Sequence, residues 1–206
     1  MNTSKQRLET LYKFLPQLTT VRYGIMPSHF HQSVKDHIEG MIRLAPTLMK
    51  QAGLQFNIAK LNAVIIVHDL PELGMDRDIT SWELAKRPEL QRVKTKFEHE
   101  TITRLGKTHG SWLPELFEYY EKQDNELTKF VKWLDKYESN LYLLDKAKGH
   151  DLNFDWFTHN TQRLVTATLS FPHTKDITVK RLRDIKTLFE NHSGLDEWAN
   201  LYDSLN

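Results

Sequence analysis

The stretch Leu61-Asn62-Ala63-Val64-Ile65-Ile66-Val67-His68-Asp69-Leu70 decides the fold. Its apolar run is too long and too poorly flanked by turn residues for a single buried strand, so it reads as a buried helix over 58–70. Two polar side chains of metal-ligand type, His68 and Asp69, close it. A buried carboxylate is costly unless paired, hydrogen-bonded or bound to a metal. A divalent ion would use both side chains at once.

Outward from this helix the periodicity is helical nearly everywhere. Leu8, Leu11, Phe14 and Leu15 form a first amphipathic helix that stops near Pro16. Residues 17–30, with Gly24 and Pro27, read as a loop. Val34, His37, Ile38, Met41, Ile42, Leu44 and Ala45 share one face of the next helix, with a kink expected at Pro46. Gly74-Met75-Asp76-Arg77-Asp78 is a turn, and Thr80 or Ser81 caps the segment after it. Helices are predicted over 93–105, 113–120 and 127–144. After Gly149 the composition shifts to His, Asn, Thr and aromatics, with a break at Phe171-Pro172 and two further helices over 177–190 and 194–205. No strand pair shows the expected alternation and tight turn. The expected architecture is all-α: a helical domain over 1–149 and a mainly helical C-terminal extension over 150–206, packed on the same domain.

Bulk composition excludes several function classes. The chain has 206 residues, 39% hydrophobic and 11% aromatic, enough for a sizeable core. Lys+Arg is 28 against Asp+Glu 27, which gives no support to nucleic-acid or membrane-surface binding. The absence of cysteine removes disulfides, thiolate metal sites and cysteine nucleophiles. No apolar run approaches the ~20 residues of a membrane span, and residues 1–7 lack a signal-peptide core. The expectation is a soluble, cytoplasmic protein.

Four ionisable residues stand on or beside apolar helix faces: His37, His68, Asp69 and Asp135 in Phe130-Val131-Lys132-Trp133-Leu134-Asp135. Two imidazoles and two carboxylates from facing helices can build a metal site in a bundle. That ligand set suits Mn, Fe, Co, Ni or Zn without choosing among them. A lone core histidine or a lone His-Asp dipeptide would mean little; the order His, His-Asp, Asp is more specific.

This order and its local sequences resemble the HD-domain metal-dependent phosphohydrolase superfamily. The segments that carry the resemblance are Gln32-Ser33-Val34-Lys35-Asp36-His37, Val67-His68-Asp69-Leu70-Pro71-Glu72 and Phe130-Val131-Lys132-Trp133-Leu134-Asp135-Lys136-Tyr137-Glu138, the last preceded by acidic 118–126. Within it the chain is most similar to the HD-domain 5′-deoxynucleotidases, over roughly residues 8–145. The resemblance implies an HD-domain helical bundle and one divalent ion (Mn, Co, Ni, Fe, Zn or Mg) held by His37, His68, Asp69 and Asp135. Such an ion lowers the pKa of water and polarises a phosphoryl oxygen. It further implies that Glu72 handles protons, a task that needs a carboxyl tuned by its surroundings.

For the substrate, the resemblance implies that Arg22 binds phosphate, with Tyr23 where the family has Trp. Asp78, preferred over Asp76, would bind the sugar hydroxyl, although the family's Gly before this Asp is missing. Arg77 is an extra cation, either facing phosphates or paired with Glu72 or Asp76. Lys132 lies three residues before Asp135 and would balance carboxylate charge or touch phosphate. Asp36 is expected to orient His37. The implied activity is removal of the 5′-phosphate from (deoxy)nucleoside monophosphates. The alternatives are a nucleoside triphosphate triphosphohydrolase and a non-catalytic nucleotide-binding module. The implied partners are a small nucleotide substrate and a second copy in a homodimer, with no nucleic acid and no membrane.

Overall fold

The structure is a computed structural model. It describes residues 3–24, 26, 30–147, 154–188, 200–201 and 203–205. The element order is α1 (Ser4–Tyr12), β1 (Val21–Arg22), β2 (Gln32–Ser33), α2 (Val34–Gln51), α3 (Ile58–Asp69), α4 (Ser81–Lys86), α5 (Leu90–His109), α6 (Trp112–Glu121), α7 (Glu126–Ala147), α8 (Phe154–Ser170) and α9 (Lys175–Leu188). The all-α expectation holds, with one small exception. Val21 pairs with Ser33 and Arg22 with Gln32 in a two-residue antiparallel ladder. The intervening loop is too long to carry a hairpin signature, and a two-residue strand has no alternation to detect.

Local chemistry sets the helix ends. Thr3 and Thr80 close capping boxes with Gln6 and Glu83, and Asn57 caps α3 by accepting from Lys60 N at 3.0 Å. Each such cap is worth about 1 kcal/mol. At α2, Ser33 Oγ accepts from Asp36 N at 3.0 Å and donates to Asp36 Oδ2 at 2.6 Å. Asp36 therefore points out at the helix start and does not orient His37. Pro46 lies inside α2 without ending it. Phe171-Pro172 ends α8 as expected, whereas most of the predicted 194–205 helix lies outside the described residues.

The chain divides into two compact units, residues 1–43 with 56–131, and residues 44–55 with 132–206. In the first, α3 is the central rod: Leu61, Val64, Ile65, Ile66 and Val67 are all buried. A helix apolar on every side needs cover on every side. Within this unit α1 and α6 pack on α3, and α5 packs on α6 and on the turn after α3. Phe130 faces Phe56, with ring centroids 5.7 Å apart.

In the second unit Trp133 is fully buried and donates from Nε1 to Thr178 Oγ1 at 3.1 Å. Asn140 Nδ2 donates to Thr161 Oγ1 at 2.9 Å, and Arg181 Nε donates to Asn140 Oδ1 at 3.3 Å. Among the described residues no helix is long and apolar enough to cross a membrane.

Candidate metal centre

The ends of α2 and α3 bring three donor groups together. His37 stands in the first turn of α2 and is completely buried, and His68 is buried at the end of α3. Their ligand nitrogens lie within 4.8 Å of each other. Asp69 Oδ2 lies 3.3 Å from His68 Nε2 and 3.7 Å from His37 Nε2. The other ring nitrogen of His68, Nδ1, is bonded to the Ile65 carbonyl. That bond makes Nδ1 the protonated nitrogen and turns the Nε2 lone pair toward Asp69, the usual device for orienting a metal-ligating imidazole. Two imidazole nitrogens, 3.3 and 3.7 Å from Oδ2 of the partly exposed Asp69 carboxylate, fit together with it as donors to a divalent ion of the N/O class.

The helix break at Pro71 shapes this corner. Pro71 has no N–H to offer the Val67 carbonyl, which accepts from Leu70 N instead. Leu70 keeps helical torsions (φ −58, ψ −33), contrary to the expectation for a residue before proline, so the missing donor rather than Leu70 sterics ends α3. A 3₁₀ turn over Leu70–Glu72 comes next and buries Glu72. Thr20 Oγ1 donates to the carbonyls of Glu72 and Met75 at 3.0 Å each, and Asp78 N donates to Val21 O at 3.1 Å. The β1 segment and the 72–78 turn are thereby stitched together. Val34 N donates to Thr20 O at 2.9 Å, which ties the start of α2 to the same segment.

Glu72 and Asp78 meet at one lysine that no sequence motif marks. Lys94 Nζ donates to Glu72 Oε1 at 2.9 Å and to Asp78 Oδ1 at 2.6 Å. Glu98 Oε1 lies 3.9 Å from the same ammonium. One cation thus serves three carboxylates, and negative charge is in surplus. Burial, with Asp78 and Asp69 adding repulsion against the pull of Lys94, pushes the Glu72 carboxyl up to about 8. Burial also raises Glu98, to about 7. Lys94 is driven further into its charged form: the attraction of Glu72 and Asp78 outweighs its own burial.

Arg22 is buried on β1, its guanidinium carbon 5.4 Å from the Tyr23 ring centroid. Tyr23 is also buried and has φ 59, in the left-handed region. That conformation costs a bulky residue about 1–2 kcal/mol, and strain of this kind gathers at functional sites. Arg77 pairs with neither Glu72 nor Asp76. It forks onto Glu83, with both nitrogen–oxygen distances 2.8 Å. The Thr80 cap already places Glu83 there, and the fork adds a second hold on the 77–83 turn.

In the second unit Asp135 is buried on α7 and ion-paired with Lys136. Lys132 is exposed. The lysine that balances Asp135 is its immediate successor, not the residue one turn earlier. Among the other aromatics, Trp112, Tyr120, Trp133 and Trp156 are core residues. Tyr120 also presents its ring to His68, with centroids 5.7 Å apart.

The model of a family described as HD domain matches residues 19–174. The comparisons with curated proteins and with solved structures gave no match. An HD domain is all-α, binds a divalent metal and points to a metal-dependent hydrolase, in keeping with the donor set at His37 and His68.

Proposed function

Since the chain belongs to the HD domain family, we propose that it is a metal-dependent phosphohydrolase of 5′-nucleotidase type, acting on (deoxy)nucleoside monophosphates. The observation that carries this reading is the convergence of His37, His68 and Asp69 one 3₁₀ turn before a buried carboxyl poised near neutrality. In the proposal His37, His68 and Asp69 hold the ion, and Asp135 joins them by its place in the motif. When bound, the ion supplies Lewis acidity to a water and to a phosphoryl oxygen.

The chain's own groups do the rest. Burial pushes the Glu72 carboxyl up to about 8 in the metal-free chain, which favours its protonated form and suits a general acid: as a water oxygen bonds to phosphorus and the ester P–O bond breaks, Glu72 gives its proton to the departing 5′-oxygen. The products are a nucleoside and inorganic phosphate, and the Glu72 carboxylate regains the proton that the attacking water sheds. Arg22 is the phosphate anchor, because a guanidinium offers paired donors to phosphate oxygens. The Tyr23 ring, held by its strained turn, flanks the sugar. Asp78 accepts from a sugar hydroxyl through the oxygen that Lys94 does not hold. Arg77 and Lys132 act only as outer contacts, one clamped by Glu83 and the other on the surface.

The test is turnover by the full chain over nucleoside monophosphates and triphosphates with Mn, Co, Ni, Zn and Mg, with product identification. Inorganic phosphate from monophosphates, abolished by EDTA, is expected. Inorganic triphosphate from triphosphates would replace this reading with a triphosphohydrolase, and no turnover with any metal would leave a binding module.

A further inference from the structure

Lys94 belongs to none of the motif segments and lies 22 residues beyond Glu72, on α5. A lysine on a charged amphipathic helix ordinarily extends into water. This one is drawn inward, with only 16% of its side chain exposed. Its three N–H donors go to Glu72 Oε1 at 2.9 Å, Asp78 Oδ1 at 2.6 Å and the Ile79 carbonyl at 3.3 Å. The second oxygen of Glu72, Oε2, is buried and takes no hydrogen bond from the protein. The ammonium therefore makes the two oxygens of Glu72 unequal.

We propose that Lys94 is a positioning residue, which by engaging Oε1 of Glu72 together with Oδ1 of Asp78 leaves Oε2 as the oxygen that exchanges the proton. This rests on the phosphohydrolase reading of the same site. Lys94 also keeps Glu72 and Asp78 at a fixed separation despite their repulsion. The charges facing Glu72 are Lys94 from α5, Asp78 from the turn and Asp69 from the end of α3, while Glu98 faces Lys94 from its own helix. Without Lys94 the charges left facing Glu72 among the described residues of the metal-free chain are those of Asp78 and Asp69, both negative. Glu72 then holds its proton more tightly and becomes a weaker acid, and its carboxyl loses the bond that aims it.

The experiment compares Lys94→Met, Lys94→Arg, Glu72→Gln and the Lys94→Met/Glu72→Gln double variant of the full, metal-loaded chain. Lys94→Met is expected to lower kcat by about 10- to 100-fold, the scale of a misplaced group, with little change in KM. In the Glu72→Gln background the same change should cost less than about twofold, because coupled residues are not additive. Lys94→Arg should recover part of kcat, and the alkaline limb of the pH profile should move up in Lys94→Met. An unchanged kcat, or an equal loss in both backgrounds, overturns the proposal. If Lys94→Met does not fold, Lys94→Gln is read in its place. If the wild type turns over no nucleotide, the phosphohydrolase reading has failed by itself. Lys94 is then judged on the metal-free protein by carboxyl ¹³C NMR. A Glu72 midpoint raised by about one unit or more in Lys94→Met supports the bond to Oε1, and an unmoved midpoint overturns it.

Discussion

Nε2 of His68 lies 3.3 Å from Oδ2 of Asp69, although the two are neighbours in the chain. Successive residues on a regular helix point about 100° apart. Asp69 has left helical torsions, at φ −109 and ψ 3, and lies near the sparsely populated bridge region where active-site residues are found. The end of α3 thus turns a carboxylate back onto the imidazole before it. A Pro71→Ala variant restores the missing donor and lets α3 continue through Leu70. It should weaken Mn²⁺ affinity and lower kcat by about tenfold or more while leaving the far-ultraviolet circular dichroism unchanged; misplacement alone can carry a loss of that size.

Glu72 makes the stability of the metal-free protein depend on pH. Below its ordinary value of 4.5 the carboxyl is protonated whether folded or unfolded. Between 4.5 and about 8 only the folded chain keeps the proton. Stability therefore falls as pH rises through that window, by up to about 1.4 kcal/mol per unit, and levels off above it. Urea unfolding over this range should show the slope in the wild type and a shallower one in Glu72→Gln, where Glu98 still contributes up to about 7.

Gly106 reverses the usual helix rule. A glycine within a helix normally gains about 1 kcal/mol on replacement by alanine. A Cβ at Gly106 would stand 2.5 Å from Pro114 Cγ and 2.9 Å from its Cδ, so α5 and α6 would have to separate. Gly106→Ala should lower stability by about 1–3 kcal/mol, read as a lower urea midpoint.

Asn140 is the hinge of a buried polar network in the second unit, donating to Thr161 and accepting from Arg181. Burial pulls Arg181 below its ordinary pKa, a sign of the cost of holding its charge there. Asn140→Leu leaves that guanidinium short of an acceptor and should cost about 3 kcal/mol. Asn140→Leu with Arg181→Met should recover much of the loss.

The helices and the triad at His37, His68 and Asp69 are legible in the sequence because each lies in a local pattern: an apolar period, a cap or a short motif. The β1–β2 ladder is not, since it depends on a loop closing. Lys94 and Glu98 escape for a different reason. They sit at a one-turn spacing on a helix that reads as a solvated charged face, and only the packing of α5 on the turn after α3 turns that face inward. The Arg77–Glu83 fork shows the same limit. Its acidic partner looks committed to the Thr80 cap, and the fork forms because one carboxylate serves both.

The central claim, that His37, His68 and Asp69 hold one divalent ion, is tested most directly by equilibrium dialysis against Mn²⁺ with metal content measured by mass spectrometry. One tightly held ion per chain is expected in the wild type, and its loss is expected in Asp69→Ala, with circular dichroism unchanged. Undiminished Mn²⁺ binding by folded Asp69→Ala, or no binding by the wild type, would contradict it.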